Sequence, residues 1–480
     1  MSNTRNPKEN KGASSSVVLK SSIWYTASNF ATRALGFITI PIFSRLLSTA
    51  EFGGFNVFAN WQSILLTIVG LEIYGTVNKA RFDYSDESSF SSYVFTCLVL
   101  STAITGTLLA VYLLFADTID KLLLMDRRYV YIMFAYLFTK PAFEMFQAEQ
   151  RVKYKYKLSA TISFASLILS TLLALVLTVM MPNDRLTGRI AGQYIPYFFI
   201  GLAFYIYYIS RSHVFSWEKC RYAFKIAIPL VFSYLGSHIL VLSDKIVVQH
   251  LSTDEAVAYL SLATSCSHIM LFFVRSLNNA WSPWFYDKLA AGEEGSINRL
   301  FRRYLWFVIF CTVGVLLLGP EIVWLLGDKS YGPSISLLPV NMLCGGFTLI
   351  VSQYTAFETF YNKPHYSAIV TGITAIINVV IDIIGVKLFG YTAACYATVL
   401  CFIILILFHL IITRKMGIFR VFPLKDLAVE VAAMLLLIPI SLSLYRVTVV
   451  RYIALALFSV ALVVVLYKYR HRLLSLLKKK

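Results

Sequence analysis

Four basic side chains fall inside long apolar runs: Arg33, Lys140, Lys245 and Arg275. A charge at the centre of a hydrocarbon span costs at least ~2.5–3.5 kcal/mol on insertion scales, so such residues usually face water or a partner. A guanidinium cannot escape that cost by losing its proton. Arg33 and Arg275 therefore point to a water-filled cavity. Polar neighbours at helical spacing widen these faces. Thr26, Asn29, Arg33 and Gly36 share one side of a helix, and Asn56, Asn60, Ser63, Thr67, Gly70 and Tyr74 share another. Ser233, Ser237 and Asp244 form a third stripe, with Tyr234, His238 and Lys245 beside it; Ser261, Ser265, His268, Arg275 and Asn279 form a fourth. Small and hydroxyl residues also line dry helix interfaces, so packing is the alternative for the Ser, Thr and Gly positions.

Other ionisable groups have plainer readings. Lys140 and Glu144 are an i, i+4 pair of opposite sign that can compensate itself. Asp244 and Lys245 are adjacent and so project from different faces. Glu72, Glu358 and Asp382 lie near span ends and read as solvated interfacial positions. Of the acidic groups, Asp244, Glu144 and Glu72 are the candidates for coupling or gating. His238 and His268 have no companion cluster of His, Cys and carboxylates, so they read as packing residues and no metal is expected; His268 also shares the Arg275 face and joins the cavity candidates. The seven cysteines include no C-x-x-C pair, which argues against a zinc site or a disulfide framework. G-x-G-x-x-G, Walker-lysine and G-x-S-x-G patterns are absent, so neither catalysis nor a cofactor is indicated.

The elements that must carry these residues are membrane helices. The chain has 480 residues, 58% hydrophobic and only 14% charged, with mean hydropathy +0.69. Soluble domains carry about 25% charged residues. Apolar runs of ~20 residues recur from end to end and mean membrane-spanning helices. Division at the polar breaks predicts about fourteen: 23–44, 56–76, 91–115, 129–148, 158–181, 190–210 and 226–249, then 256–285, 304–326, 334–360, 366–386, 391–412, 427–445 and 452–467. The polar residues 1–20 show no cleavage-like site, so the first run reads as an uncleaved span.

The net charge of +18 would suggest nucleic acid in a soluble protein. Here the basic residues cluster between apolar runs, where they set topology and meet anionic headgroups; no nucleic-acid partner is expected. Most of them fall on the side of the N-terminus if the spans alternate, which places both termini in the cytoplasm. Reporter fusions after residue 330 should therefore read outside, and fusions after residues 155, 219 and 480 inside. Reversal at any two of these sites would remove the topology.

Leu47-Ser48-Thr49-Ala50-Glu51-Phe52-Gly53-Gly54-Phe55 resembles Leu251-Ser252-Thr253-Asp254-Glu255-Ala256-Val257-Ala258-Tyr259. Both follow the first span of a six-span set and both fall outside, as in a parallel repeat about the membrane normal. The expected organisation is a cytoplasmic tail at 1–20, an N-lobe at 21–215 and a C-lobe at 216–415. A helix pair with a basic tail completes it at 416–480. The fold class is all-α and polytopic, with two pseudo-symmetric six-helix lobes and a C-terminal pair.

Asn29-x3-Arg33-x7-Pro41, followed by Leu46-Leu47-Ser48-x2-Glu51-Phe52-Gly53, resembles the opening of Wzx-type polysaccharide and O-antigen flippases. Asp244-Lys245, Leu251-Ser252 and Glu255-x3-Tyr259 resemble a second pattern of that group, with Ala256-Val257-Ala258 where Gly is usual. The group belongs to the multidrug/oligosaccharidyl-lipid/polysaccharide exporter superfamily. The resemblance implies transport of an undecaprenyl-diphosphate-linked oligosaccharide across the bacterial inner membrane, for O-antigen, capsule or exopolysaccharide. In that setting Arg33 and Arg275 would hold the diphosphate by charge-assisted hydrogen bonds. Asn29, Asn60, Lys245, Lys140 and His268 would complete the cavity, and rocking of the lobes would give alternating access. Partners implied are the lipid-linked oligosaccharide and membrane lipids, with a polysaccharide polymerase and chain-length machinery as further candidates.

Two other functions compete. A multidrug extruder of the same superfamily usually has twelve spans and an acidic, aromatic cation site, whereas the mid-span charges here are largely basic. A polytopic glycan polymerase or glycosyltransferase would need a sizeable outer loop or clustered acids where its substrates meet, and the outer loops are short.

Overall fold

The computed structural model describes residues 34–478, except 72–75, 78–79, 82, 85, 154–155, 362 and 417–422. The chain folds as α1 (Ala34–Leu46), α2 (Thr49–Gly70), α3 (Glu87–Leu114), α4 (Ala116–Leu123), α5 (Arg127–Val152), α6 (Tyr156–Met180) and α7 (Arg185–Arg211). It continues as α8 (Trp217–Leu251), α9 (Asp254–Ala290), α10 (Glu294–Leu317), α11 (Gly319–Leu326), a 3-10 turn (Lys329–Tyr331), α12 (Ser334–Phe360), α13 (Pro364–Phe389) and α14 (Ala393–Lys415). α15 (Leu424–Arg446) and α16 (Thr448–Lys478) close it. Among the described residues, each of the fourteen expected spans overlaps one of these helices, and nine helices are long and apolar enough to cross a membrane. α2, α5 and α8 are as long but richer in polar and charged residues.

The internal repeat is visible in the element order. Among the described residues, the eight-residue α4 falls between the long α3 and α5 as the eight-residue α11 falls between the long α10 and α12. The sequence reading had run one span through 304–326. The helix instead stops at Leu317 and restarts at Gly319, because Pro320 has no N–H to offer the Leu316 carbonyl. That carbonyl accepts the Tyr445 hydroxyl at 2.8 Å. Arg451 donates to the Leu317 carbonyl at 2.9 Å and grips Glu321 at 2.5 and 2.6 Å. Arg451, one residue ahead of the expected span 452–467, is 3% exposed, because a broken helix end needs donors.

Caps set several helix starts. Ser48 and Glu51 form a reciprocal capping box at α2, with the Ser48 N–H on the Glu51 carboxylate at 2.8 Å and the Glu51 N–H on Ser48 Oγ at 3.2 Å. Thr253 plays the same part at α9, accepting the Ala256 N–H at 3.3 Å. Asp86 accepts the Ser89 N–H at 2.7 Å ahead of α3, which holds its carboxyl below the usual range.

The described residues form two compact units. The first runs to Leu47 and includes Phe58–Leu235; the second comprises Ser48–Val57 and the chain from Gly236, so α2 and α8 contribute to both. Within the second, the two copies of the repeated nonapeptide pack on each other: a Cβ on Gly53 would collide with the Asp254 carbonyl. Within the first, Gly188 and Gly192 of α7 bring its backbone against Ala174, Leu177 and Thr178 of α6. Such close approach is how helices associate where lipid removes the hydrophobic drive.

Candidate functional site

In the second unit, polar groups of four helices meet in the interior. α8 contributes Ser243, Asp244 and Lys245, each at most 8% exposed. Ser243 donates to the Asn378 amide oxygen of α13 at 3.2 Å, and the Asp244 carboxylate accepts the Lys245 backbone N–H at 2.7 Å. One turn beyond Asn378 lies Asp382, fully buried, with neither carboxylate oxygen hydrogen-bonded and Asp244 within electrostatic reach. From α12, Asn341 donates to Cys395 Sγ of α14 at 3.1 Å.

Asp382 had been read as a solvated position near a span end, and the structure overturns that. Glu358 is likewise fully buried, paired with His409 at 2.7 Å beneath the stacked Tyr354 ring. Distance along a helix predicted water for both; neighbouring helices cover them. A burial estimate from sequence sees one helix at a time, so it could not register this covering.

In the first unit, Lys140 and Glu144 do pair, at 2.8 Å. Lys140 Nζ also lies 4.2 Å from the Phe143 ring centre and 4.8 Å from that of Tyr197, an aromatic setting that favours a cation. Asn60 is 6% exposed, and its amide nitrogen has no hydrogen-bond partner. Near the start of α7, Arg189 is 8% exposed, stacks 3.6 Å over Phe43 and donates to Gln193 at 2.7 Å. Arg189 falls one residue ahead of the expected span 190–210. Its i, i+4 spacing to Gln193, continuing into an apolar run, was the available signal.

Two cavity candidates lie on the accessible side of α9. Arg275 closes its apolar stretch Asp254–Arg275 and is exposed, as is His268 two turns earlier. The stripe they were assigned to changes along its length, because Ser261 is only 1% exposed. Arg33, Asn29 and Glu72 lie outside the described residues. Groups of His, Cys and carboxylates that could hold a metal ion are absent among the described residues. The structure thus sets Asp244, beside Lys245 in the chain, near Asp382, joins Lys140 to Glu144, and sets Arg275 and His268 on one exposed face.

Comparison with known proteins gives this arrangement a family. The profile of polysaccharide biosynthesis proteins matches residues 18–288, and that of MatE proteins matches residues 229–384. A protein of the Lsg locus of Haemophilus influenzae is 19% identical over 335 residues, covering 66% of this chain and 78% of its own length. An uncharacterized membrane protein of the same organism is 23% identical over 322 residues, covering 64% and 75%. Among solved structures, the lipid II flippase MurJ in an inward closed conformation shares the fold, with TM-score 0.67, 16% identity and coverage of 94% of this chain and 100% of that one. An inward-facing multidrug resistance MATE family transporter does so with TM-score 0.61, 14% identity and coverage of 81% and 94%. With its polytopic helical fold, and with a profile match over more than half its length, the chain belongs to the polysaccharide biosynthesis protein family.

Proposed function

We propose that this protein is a flippase that moves an undecaprenyl-diphosphate-linked oligosaccharide repeat unit from the cytoplasmic to the outer leaflet of a bacterial inner membrane. The observation that carries this reading is membership of a polysaccharide biosynthesis family on a fold shared with a lipid II flippase. The substrate's diphosphate and sugars cannot cross hydrocarbon unaided, whereas its polyprenyl tail can stay in the bilayer. Arg33 and Arg275 hold the diphosphate, Asn29, Asn60 and His268 bond sugar hydroxyls, and Lys140 and Lys245 add positive charge. Transport proceeds by alternating access and supplies O-antigen, capsule or exopolysaccharide assembly, where a polymerase and chain-length machinery act next. Proteoliposomes test it directly: the purified chain should make a fluorescent lipid-linked oligosaccharide accessible to a membrane-impermeant quencher. Accessibility equal to that of protein-free vesicles would reject the proposal.

Energy coupling falls to carboxylates. Asp244, Glu144 and Glu72 are its candidates from the sequence, and Asp382 joins them as a buried carboxylate without a hydrogen-bonding partner. An unpaired buried charge is costly, which favours uptake of a proton or small cation there. Asp382→Asn is expected to lower export several-fold and to abolish its response when the proton or sodium gradient is collapsed. Unchanged export with an unchanged response would exclude Asp382 from coupling.

A multidrug extruder is the second reading, favoured by the MatE match over residues 229–384. Extrusion of cationic dyes by the purified chain would establish it.

A further inference from the structure

Five charged groups meet at one end of the first unit. Glu149, in the last turn of α5, is 1% exposed. Its carboxylate accepts the Tyr208 hydroxyl at 2.7 Å, Arg211 at 2.5 Å and Lys153 at 2.8 Å. That buried acid is satisfied, and it pins the end of α7 to the end of α5. The same cations have a second, outward side. Glu87, the first residue of α3, pairs with Lys153 at 2.5 Å, with Arg81 at 3.3 Å and with the Arg211 guanidinium. Its side chain nevertheless stays 51% exposed. Three cations from three separate segments therefore converge on one solvent-facing carboxylate.

Charge counting shows what this arrangement favours. Arg81, Lys153 and Arg211 face Glu87 and Glu149, leaving one positive charge in excess; with Glu87 swung out, the excess is two. Lys219, which donates to the Ser89 carbonyl at 2.9 Å half a turn along α3, is offset by Asp86 and Glu218 and leaves this balance unchanged. Arg81 and Lys153 also lie 5.1 and 6.0 Å from the Phe90 ring centre, which holds both near this end of α3. An exposed ion pair contributes little to stability and exchanges readily. Here one acid is buried and held, while the other is exposed and exchangeable. Planar guanidinium donors beside an ammonium suit the tetrahedral oxygens of a phosphate at least as well as a carboxylate.

We propose that Arg81, Lys153 and Arg211 form a binding site for the phosphate of a membrane-anchored lipid, and that Glu87 is the internal carboxylate such a lipid displaces. The proposal rests on the flippase reading for its setting: the charge bias puts this end in the cytoplasm, where a lipid-linked substrate is first met. The phosphate can come from a polyprenyl diphosphate or from an anionic phospholipid headgroup.

Native mass spectrometry of the full-length protein in neutral-lipid nanodiscs tests this, with undecaprenyl diphosphate in one arm and phosphatidylglycerol in the other. Glu87→Gln should bind the phosphate lipid about two- to fivefold tighter, the range for removing an exposed competing ion pair. Arg81→Gln should bind it correspondingly more weakly. A gain confined to undecaprenyl diphosphate assigns the site to the substrate, and one seen with phosphatidylglycerol assigns it to the headgroup. Should Glu87→Gln fail to fold, Glu87→Asp, with its shorter reach, should give a smaller gain in the same direction. Unchanged or weaker binding in a folded Glu87 variant would make the cluster a clasp and overturn the proposal. Failure of the wild-type gene to restore surface polysaccharide to a deletion strain would reject the flippase reading and leave this binding result intact.

Discussion

The Arg33→Ala/Arg275→Ala double variant is expected to lose glycan export almost completely while its membrane abundance stays at the wild-type level. Each single variant should lower export by about tenfold or more, since a hydrogen bond to a charged group contributes about 1.5–3 kcal/mol. The expectation rests on two permanently charged side chains placed in apolar runs of the two halves of the repeat. Arg275 is exposed on α9, as a group that must reach a substrate has to be. Lysine at either position should rescue only in part, because an ammonium keeps the charge but loses the flat two-pronged donor. Lys140→Ala should have a milder effect, since Glu144 already compensates Lys140 at 2.8 Å. The measurement is surface polysaccharide in a strain lacking the native gene, beside immunoblots of the membrane fraction. Normal export by the double variant would mean that the diphosphate is held elsewhere.

The second large effect concerns folding. Gly192→Leu is expected to abolish recovery of monodisperse protein, because even a Cβ at this position would overlap the Ala174 backbone of α6. Overpacking a core already costs about 1–3 kcal/mol when side chains can shift; here the obstacle is backbone, which cannot move without separating the helices. Gly201→Leu should behave similarly, since its Cβ would lie 2.7 Å from the Thr139 carbonyl oxygen of α5. Gly106→Ala is the control. It lies within α3 with nothing inside 4 Å of the added carbon, so it should be neutral or slightly stabilising. Size-exclusion profiles of fluorescently tagged variants, with their Tm values, separate these cases. A monodisperse Gly192→Leu protein melting at the wild-type temperature would show that the α6–α7 contact is not needed for folding.

The membrane helices were legible in the chain because a span is a local property. Some twenty apolar residues with polar ends form a helix in lipid whatever surrounds them, since every backbone group must be satisfied within its own segment. Residues 334–360 were read to their exact ends for that reason. The repeat was legible through its capped corners, where Ser48 with Glu51 and Thr253 with Asp254 and Glu255 mark the same turn twice. The pairing of Lys140 with Glu144 was equally local, fixed by an i, i+4 spacing.

Which side of each helix is covered was decided only by tertiary structure. Asp382 and Glu358 lie near helix ends in sequence, yet neighbouring helices bury both completely. Arg189 and Arg451 fall one residue outside the spans read from sequence, 190–210 and 452–467, but one stacks on Phe43 and the other caps a helix broken by Pro320. The cluster of Arg81, Glu87, Glu149, Lys153 and Arg211 combines segments up to 124 residues apart, so no spacing rule could assemble it. The physical reason is common to all of these. Hydropathy and helical period act along one segment and set where each helix forms, whereas burial, desolvation and ion pairing depend on which other segments it meets.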